Sequence, residues 1–274
     1  MSNTQQRIAS ALVLSSIVAF TIFLGVKATI TLFGIVSVVA IDEIICNFFN
    51  RKRFSLHYVL SEVFFIVPYV YIFFVCNSLQ LNGLLIYGSI ALNLFLIFYL
   101  FFVEIESKLL HKTGQFFPEI SSLLLLFPLI ALSTLTFYPE WRMLLATILL
   151  VNFGMDTGAW LFGKNFGKHK LWKKVSPNKT IEGLLGGMFT SGLVGCIAWQ
   201  GFFGGVSPLY FVLFAFLGAM SQVGDLIQSK IKRQVGVKDS SSLIPGHGGV
   251  YDRIDSLIFL APFFIMVLKL IYNK

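Results

Sequence analysis

Nine long apolar stretches, separated by short segments that contain charge, Pro or Gly, constrain the fold of this chain most. They cover approximately residues 8–26, 28–48, 57–76, 81–103, 117–138, 141–162, 180–203, 206–227 and 254–272. A helix needs about 20 apolar residues to cross a bilayer. Hydrophobic residues make up 56% of the chain, well above the share in a soluble domain. The sequence therefore predicts an all-α, polytopic integral membrane protein with about nine transmembrane helices.

The distribution of positive charge predicts the orientation of these helices. If the segment after the second stretch faces the cytoplasm, 17 of the 21 Lys and Arg residues lie on the cytoplasmic side. Cytoplasmic loops of membrane proteins are enriched in Lys and Arg, so this parity is the favoured one. The predicted location of the protein is the cell (inner) membrane. The net charge of +8 is then a surface that faces anionic lipid head groups, and nucleic acid is not an expected partner.

Polar residues concentrate between the last two apolar stretches. Residues 224–255 contain four aspartates, five Lys or Arg, one histidine and a glycine pair, although only 12% of the whole chain is charged. Carboxylates are ligands for Mg²⁺, Lys and Arg bind phosphates, and glycines let backbone N–H groups come close to a ligand. This composition indicates phosphoryl-group chemistry at a membrane surface.

The spacing within that segment favours a binding site, because polar side chains share helix faces. On a helix that continues from the eighth stretch, Asp225, Ser229 and Lys232 share one face. Asp252 and Asp255 share a face at the start of the ninth stretch, soon after a glycine pair. The alternative is an ion-pair network at the membrane boundary, which explains the charges but not the glycines.

A second polar segment, residues 163–183, contains six lysines, most of which are explained as orientation signals. Ser176 or Thr180 can cap the following helix, and Lys179 stands where a phosphate at that helix N-terminus would meet it. Asp156 lies inside the sixth stretch, where an ionisable residue indicates function. A buried carboxylate that only joins two helices is the alternative.

The run from Ser229 to Asp255 resembles the signature of the phosphatidate cytidylyltransferases, also called CDP-diacylglycerol synthases. It reads Ser-x-x-Lys-Arg, then Lys-Asp-Ser, then Leu-Ile-Pro-Gly-His-Gly-Gly-x-x-Asp-Arg-Ile-Asp. Residues 156–183 are similar to a second block of that family, with Trp160 where Tyr is usual. The close resemblance covers residues 150–274. We therefore expect transmembrane helices of unassigned role in residues 1–110 and a catalytic region in residues 111–274, with its signature at 229–255.

The resemblance implies a reaction in which CTP and phosphatidate give CDP-diacylglycerol and pyrophosphate at the cytoplasmic face. It also implies an all-helical bundle whose C-terminal helices enclose a polar site open to cytosol and lipid, a homodimer, Mg²⁺ and room for a second cation. A phosphate oxygen of the lipid would attack the α-phosphorus of CTP in line, so that charge neutralisation and orientation supply the catalysis.

The resemblance also implies roles for individual residues. The expected metal ligands are Asp225, Asp252 and Asp255. The residues expected to hold phosphates or to assist catalysis are Lys232, Arg233, Arg253, His247 and Asp156. The residues expected to bind substrate are Lys179, Ser176, Ser229, Lys238, Gly248 and Gly249.

Two other functions are alternatives. A transporter for an anionic solute would need ionisable residues at depth in several helices, and Asp42, Glu43 and Glu62 are the main candidates. A CDP-alcohol phosphatidyltransferase also handles CDP-lipids, but its paired Asp-Gly and Gly-x-x-x-Asp-x-x-x-Asp pattern is absent from the sequence. The charged residues concentrate at the cytoplasmic ends of the stretches, which favours the cytidylyltransferase.

Overall fold

The computed structural model describes residues 3–76, 79–107 and 109–272, and helices dominate these ranges. The helices are α1 (Asn3–Leu24), α2 (Val26–Glu43), α3 (Leu56–Val70), α4 (Leu79–Phe102), α5 (Leu109–Phe116), α6 (Ile120–Thr134), α7 (Trp141–Phe166), α8 (Ile181–Phe202), α9 (Pro208–Gln234) and α10 (Tyr251–Ile271). A π-helical turn extends α2 to Phe48, another extends α3 to Cys76, and a 3₁₀ turn follows α6. An antiparallel hairpin of β1 (Lys170–Trp172) and β2 (Ser176–Thr180) joins α7 to α8.

The predicted all-α membrane architecture is confirmed. Within the described ranges, nine helices are long and apolar enough to cross a membrane. As predicted, the eighth spanning helix continues beyond the apolar stretch, because α9 reaches Gln234. The hairpin and the short helix α5 were not predicted, since neither carries a long apolar run.

The chain divides into two compact units whose segments alternate along the sequence. The first unit comprises Met1–Leu85, Glu106–Thr136 and Ile231–Ile254. The second comprises Ile86–Ile105, Phe137–Lys230 and Asp255–Lys274. The predicted division at residue 110 is a different one, between helices of unassigned role and the catalytic region. It stays a prediction.

In the first unit, buried polar side chains tie neighbouring helices together. The hydroxyl of Tyr69 on α3 donates to the carbonyl of Ile30 on α2 at 3.0 Å and lies 2.8 Å from the hydroxyl of Ser133 on α6. Ser122 on α6 donates to the carbonyl of Ser61 on α3 at 2.5 Å. These bonds fix the positions of α2, α3 and α6 relative to one another.

In the second unit, glycines allow α7 and α8 to pack closely. A Cβ atom at Gly158 would lie 2.3 Å from Oγ1 of Thr190, and one at Gly183 would lie 2.7 Å from the carbonyl oxygen of Ala159. Small residues of this kind let helix backbones approach in a membrane. The close packing positions the ends of α7 and α8 that carry polar residues.

Lys230 of α9 holds the C-terminal end of α4 in the second unit. Its side chain is 1% exposed, and its ammonium group donates to the carbonyls of Tyr99 at 2.8 Å, Leu100 at 2.9 Å and Val103. The last carbonyls of a helix have no partner within the helix. Lys230 therefore supplies donors to the last carbonyls of α4, of which that of Tyr99 also accepts from the N–H of Val103 at 3.3 Å.

We expect Lys230→Met to lower the stability of the protein by about 3–5 kcal/mol, because it keeps the length of the side chain but leaves buried carbonyls without donors. Thermal unfolding in detergent measures the effect. Lys269→Met is the control, since Lys269 contacts the ring of Tyr87 at 4.8 Å, a cation–π contact of about 1 kcal/mol. Equal melting temperatures of the two variants would contradict the role of Lys230.

Candidate active site

Asp225 of α9 lies in a polar cavity of the second unit, which we call the Asp225 cavity. The cavity has a volume of about 210 Å³, and residues of α7, β2, α8 and α9 line it, among them Asp156, Lys179 and Gln222. The carboxylate of Asp225 accepts a hydrogen bond from the ammonium of Lys179 and another from the hydroxyl of Ser229 at 3.3 Å. The Asp225 side chain is 34% exposed, so it remains accessible to a ligand in the cavity.

The hairpin between α7 and α8 positions Lys179. Lys170 pairs with Thr180 in the β1–β2 register, and the Thr180 hydroxyl caps α8 by accepting from the N–H of Gly183 at 3.1 Å. Nδ1 of His169 lies 2.6 Å from a carboxylate oxygen of Glu182, which closes the hairpin onto the first turn of α8. The predicted cap is thus Thr180, and Lys179 directly precedes it. Ser176, the other capping candidate, lies at the start of β2, four residues before Thr180.

Asp252, at the start of α10, organises the loop of residues 235–250 in the first unit, which we call the signature loop. One carboxylate oxygen accepts from the ammonium of Lys232 at 2.8 Å. The other accepts from the N–H of Ser240 at 2.8 Å and from the N–H of Gly249 at 3.0 Å. The Asp252 side chain is 5% exposed. Its oxygens are therefore engaged by the chain itself.

The glycine pair is required for this arrangement. Gly248 has φ +85°, a conformation that side chains disfavour, and a Cβ atom there would lie 2.8 Å from a carboxylate oxygen of Asp252. A Cβ atom at Gly249 would lie 1.9 Å from the hydroxyl oxygen of Ser240. The structure thus brings the backbone close to Asp252, whereas the sequence suggested an approach to phosphate.

Glu43, at the end of α2, binds the same loop. Its carboxylate accepts from the hydroxyls of Ser240 at 2.9 Å and Ser241 at 2.6 Å, and from the N–H groups of Val250 and Tyr251, both at 2.9 Å. Glu43 is 2% exposed. A single buried carboxylate thus joins Ser240 and Ser241, inside the signature loop, to the end of the loop at residues 250 and 251, and we call this arrangement the Glu43 clamp.

His247 lies near the tip of the signature loop and contacts α1. Its Nδ1 atom lies 2.7 Å from the hydroxyl of Ser10, and Arg7 donates to the neighbouring Gly246 carbonyl at 2.9 Å. Partial burial lowers the pKa of His247 below its ordinary value, and the positive charges of Arg253 and Arg7 lower it further. The lowered pKa favours the neutral imidazole, which contacts the Ser10 hydroxyl.

The other predicted residues lie at accessible positions. Arg233, Lys238 and Arg253 are exposed. The guanidinium of Arg233 donates to the carbonyl of Val237 at 3.2 Å. Asp255 accepts from the N–H of Ser256 at 2.7 Å on the first turns of α10. Of all the predicted site residues, two groups are in direct contact. Asp225, Lys179 and Ser229 lie together in the second unit, and Asp252, Lys232 and Gly249 lie together in the first.

The Asp225 cavity has a donor set that fits Mg²⁺. The carboxylates of Asp156 and Asp225 and the amides of Asn178 and Gln222 line it. Mg²⁺ is usually held by one or two carboxylates, with substrate phosphates and water completing its shell. No group of three or more His, Cys, Asp or Glu side chains suited to a metal occurs in the part of the chain that the structure describes. At Asp252, a cation would first have to displace Lys232.

Comparison with known proteins agrees with the sequence signature. The profile of the cytidylyltransferase family matches residues 5–271. The chain is 48% identical over 118 residues to a phosphatidate cytidylyltransferase of Staphylococcus aureus (strain COL), an alignment that covers 39% of this chain and 42% of the relative. It is 41% identical over 122 residues to a phosphatidate cytidylyltransferase of Bacillus subtilis (strain 168), with 44% of this chain and 45% of the relative covered. The chain thus spans less than half the length of the curated relatives that it matches. Because the family profile extends over nearly all of the sequence, the chain belongs to the cytidylyltransferase family.

Proposed function

We propose that this protein transfers the cytidylyl group of CTP to phosphatidate, giving CDP-diacylglycerol and pyrophosphate for phospholipid synthesis. A lipid phosphate oxygen forms a bond to the α-phosphorus of CTP, and the bond from that phosphorus to the oxygen bridging to the β-phosphate breaks. Pyrophosphate leaves with the electron pair of that bond. The observation that carries the proposal is the pairing of Asp225 with Lys179 in a polar cavity of a cytidylyltransferase-family membrane protein.

Lys179 supplies positive charge for the phosphates of CTP. It precedes the N-terminus of α8, where backbone N–H groups favour anions. Its own charge is balanced by Asp225 until a nucleotide enters the cavity. Ser229 holds the Asp225 carboxylate from the next helical turn at 3.3 Å and fixes its orientation.

Asp225, with Asp156 in the wall of the same cavity, would hold Mg²⁺. When bound, the ion would neutralise phosphate charge and orient the reacting groups. Asp252 and Asp255 remain proposed ligands of lower rank, because Asp252 already accepts three hydrogen bonds. A second cation is part of the proposal only by resemblance to the family.

By resemblance to the family, we assign the remaining phosphate-binding roles to residues in and beside the signature loop. Arg233, Lys238 and Arg253 are exposed, so their charges are available to the phosphates of lipid and nucleotide. Lys232 donates to Asp252 and can direct its other N–H groups to phosphate. Ser176 and Gly248 are assigned to substrate binding by resemblance to the family alone, since Ser176 is not among the residues that line the Asp225 cavity and Gly248 packs against Asp252.

We further propose that the reaction takes place at the cytoplasmic face of the cell membrane and that the protein acts as a homodimer. The bacterial source of the similar proteins supports an inner-membrane location. The concentration of Lys and Arg in segments of one parity supports the orientation.

The transporter alternative has less support. Two of its three acidic candidates bind protein groups, because Asp42 pairs with Arg53 at 2.7 Å and Glu43 forms the Glu43 clamp. Membership of the cytidylyltransferase family points to an enzyme.

The test uses the purified full chain in vesicles that contain phosphatidate, with CTP and Mg²⁺. We expect a lipid-extractable cytidine product and one pyrophosphate for each lipid formed. Lys179→Met should reduce both by roughly tenfold or more, because one charge-assisted hydrogen bond to phosphate is lost. Vesicles without phosphatidate are the control. Absence of a cytidine lipid from the unmodified chain would refute the proposal.

A further inference from the structure

Gln222 of α9 lies in the wall of the Asp225 cavity. Its amide oxygen belongs to the donor set described above, but its N–H group has no role in the proposed reaction. The residue is 5% exposed, and its Nε2 atom has no hydrogen-bond partner among the described residues. Buried side-chain polar atoms are nearly always hydrogen-bonded. An atom of a ligand in the cavity could therefore complete this unpaired donor.

The same cavity presents an aromatic surface. Trp160 of α7 lines it and is 63% exposed, with the ammonium of Lys164 lying 5.1 Å from the centroid of its indole ring. Flat aromatic side chains are the usual stacking partners of nucleic-acid bases. A heterocyclic base is thus a ligand for which Trp160 and Gln222 together are suited.

The position of the phosphate-binding groups agrees with a nucleotide in this place. Lys179 and Asp225 line the cavity together with Gln222, which precedes Asp225 by three residues on α9. The cavity therefore combines a cation, a carboxylate, an amide and an indole, which are the groups needed for the phosphates, the metal and the base of one nucleoside triphosphate.

We propose that Gln222 is the residue that selects cytosine, with its Nε2–H group donating to N3 of a ring stacked on Trp160. The proposal rests on the proposed function, since it takes CTP as the donor nucleotide. N3 of cytosine is an acceptor, whereas N3 of uracil carries a hydrogen. An N–H donor at this position therefore binds cytosine and opposes uracil, and hydrogen bonding of this kind discriminates far better than apolar contact does.

The test is a competition between CTP and UTP for transfer to phosphatidate by the full chain in vesicles. Gln222→Met keeps the length of the side chain and removes the donor. We expect the preference for CTP over UTP to fall roughly tenfold, as for the loss of one hydrogen bond at a buried site. Gln228→Met is the matched control: Gln228 is 2% exposed on the same helix but does not line the cavity, so its ratio should stay unchanged.

A second variant tests the direction of the hydrogen bond. Gln222→Glu replaces the amide by a group that only accepts, which favours the N3–H of uracil, so the preference should shift further toward UTP. If both Gln222 variants keep the original CTP to UTP ratio, or lose both activities in equal proportion, the proposal is wrong. If Gln222→Met fails to fold, the ratio in Gln222→Glu decides.

Equilibrium binding separates this proposal from the proposed function. Displacement of labelled CTP by UTP, measured without phosphatidate, reports base selection independently of transfer. A chain that forms no cytidine lipid but binds CTP over UTP in a Gln222-dependent way would refute the function and retain the base site. Transfer activity with a CTP to UTP preference that Gln222 does not affect would support the proposed function and refute the base site.

Discussion

Replacing Asp225 by asparagine is expected to lower cytidylyl transfer at least about a hundredfold. The change keeps the size of the side chain but removes the negative charge that would bind Mg²⁺ and that balances Lys179. Metal charge contributes several kcal/mol to the stabilisation of a phosphoryl-transfer transition state, and each 1.36 kcal/mol is about tenfold in rate. The measurement is the rate of CDP-diacylglycerol formation as a function of Mg²⁺ concentration.

The Mg²⁺ dependence identifies the cause of that loss. Asp225→Asn should need more Mg²⁺ than the unmodified protein, and Mn²⁺ should restore part of the activity, because it binds neutral ligands more readily. Asp239→Asn is the control, since Asp239 is exposed in the signature loop, and a smaller loss is expected there. Near-normal turnover with unchanged Mg²⁺ dependence would show that Asp225 is only the ion-pair partner of Lys179.

Replacing Glu43 by glutamine should release the signature loop and reduce activity more than tenfold. Glutamine offers one carbonyl acceptor and an amide that cannot accept, although four donors converge on this carboxylate. Hydrogen bonds to a charged group contribute about 1.5–3 kcal/mol each, so the loss is a large fraction of the energy that orders the loop. Hydrogen exchange at residues 240–251 measures it.

Asp42 provides a matched control for Glu43. It is the preceding residue on α2 and also a carboxylate, but it pairs with Arg53, whose side chain is 64% exposed. Exposed pairs contribute at most about 1 kcal/mol. Asp42→Asn should therefore leave exchange in the signature loop and transfer activity close to those of the unmodified protein. If Glu43→Gln behaves in the same way, the Glu43 clamp does not order the loop.

Features that depend on neighbouring residues were predicted correctly from the sequence. Apolar length predicted the spanning helices, and the four-residue spacing of Asp225 and Ser229 corresponds to an observed hydrogen bond on α9. The sequence offered Ser176 or Thr180 as the cap of α8, and the structure shows that Thr180 is the cap. These properties arise within one or two helical turns, where periodicity and residue type carry the information.

Contacts between distant parts of the chain were not predictable in the same way. Glu43 lies 197 residues from Ser240 and was considered only as an acidic residue inside a span. Lys179 lies 46 residues from Asp225, and no pattern in the sequence pairs the two residues. Lys230 was grouped with the phosphate-binding cations by composition, but it caps α4. Such pairings depend on which helix ends meet, a property that a single sequence does not encode locally.

The position of the label transferred from CTP tests the proposed reaction most directly. Parallel reactions with phosphatidate would use CTP labelled at the α-phosphate and CTP labelled at the γ-phosphate. Cytidylyl transfer predicts that the α-label enters the lipid and that the γ-label is recovered as pyrophosphate. Recovery of the γ-label in the lipid would mean phosphoryl transfer, and retention of both labels in CTP would mean no reaction. Either result would contradict the proposed cytidylyl transfer.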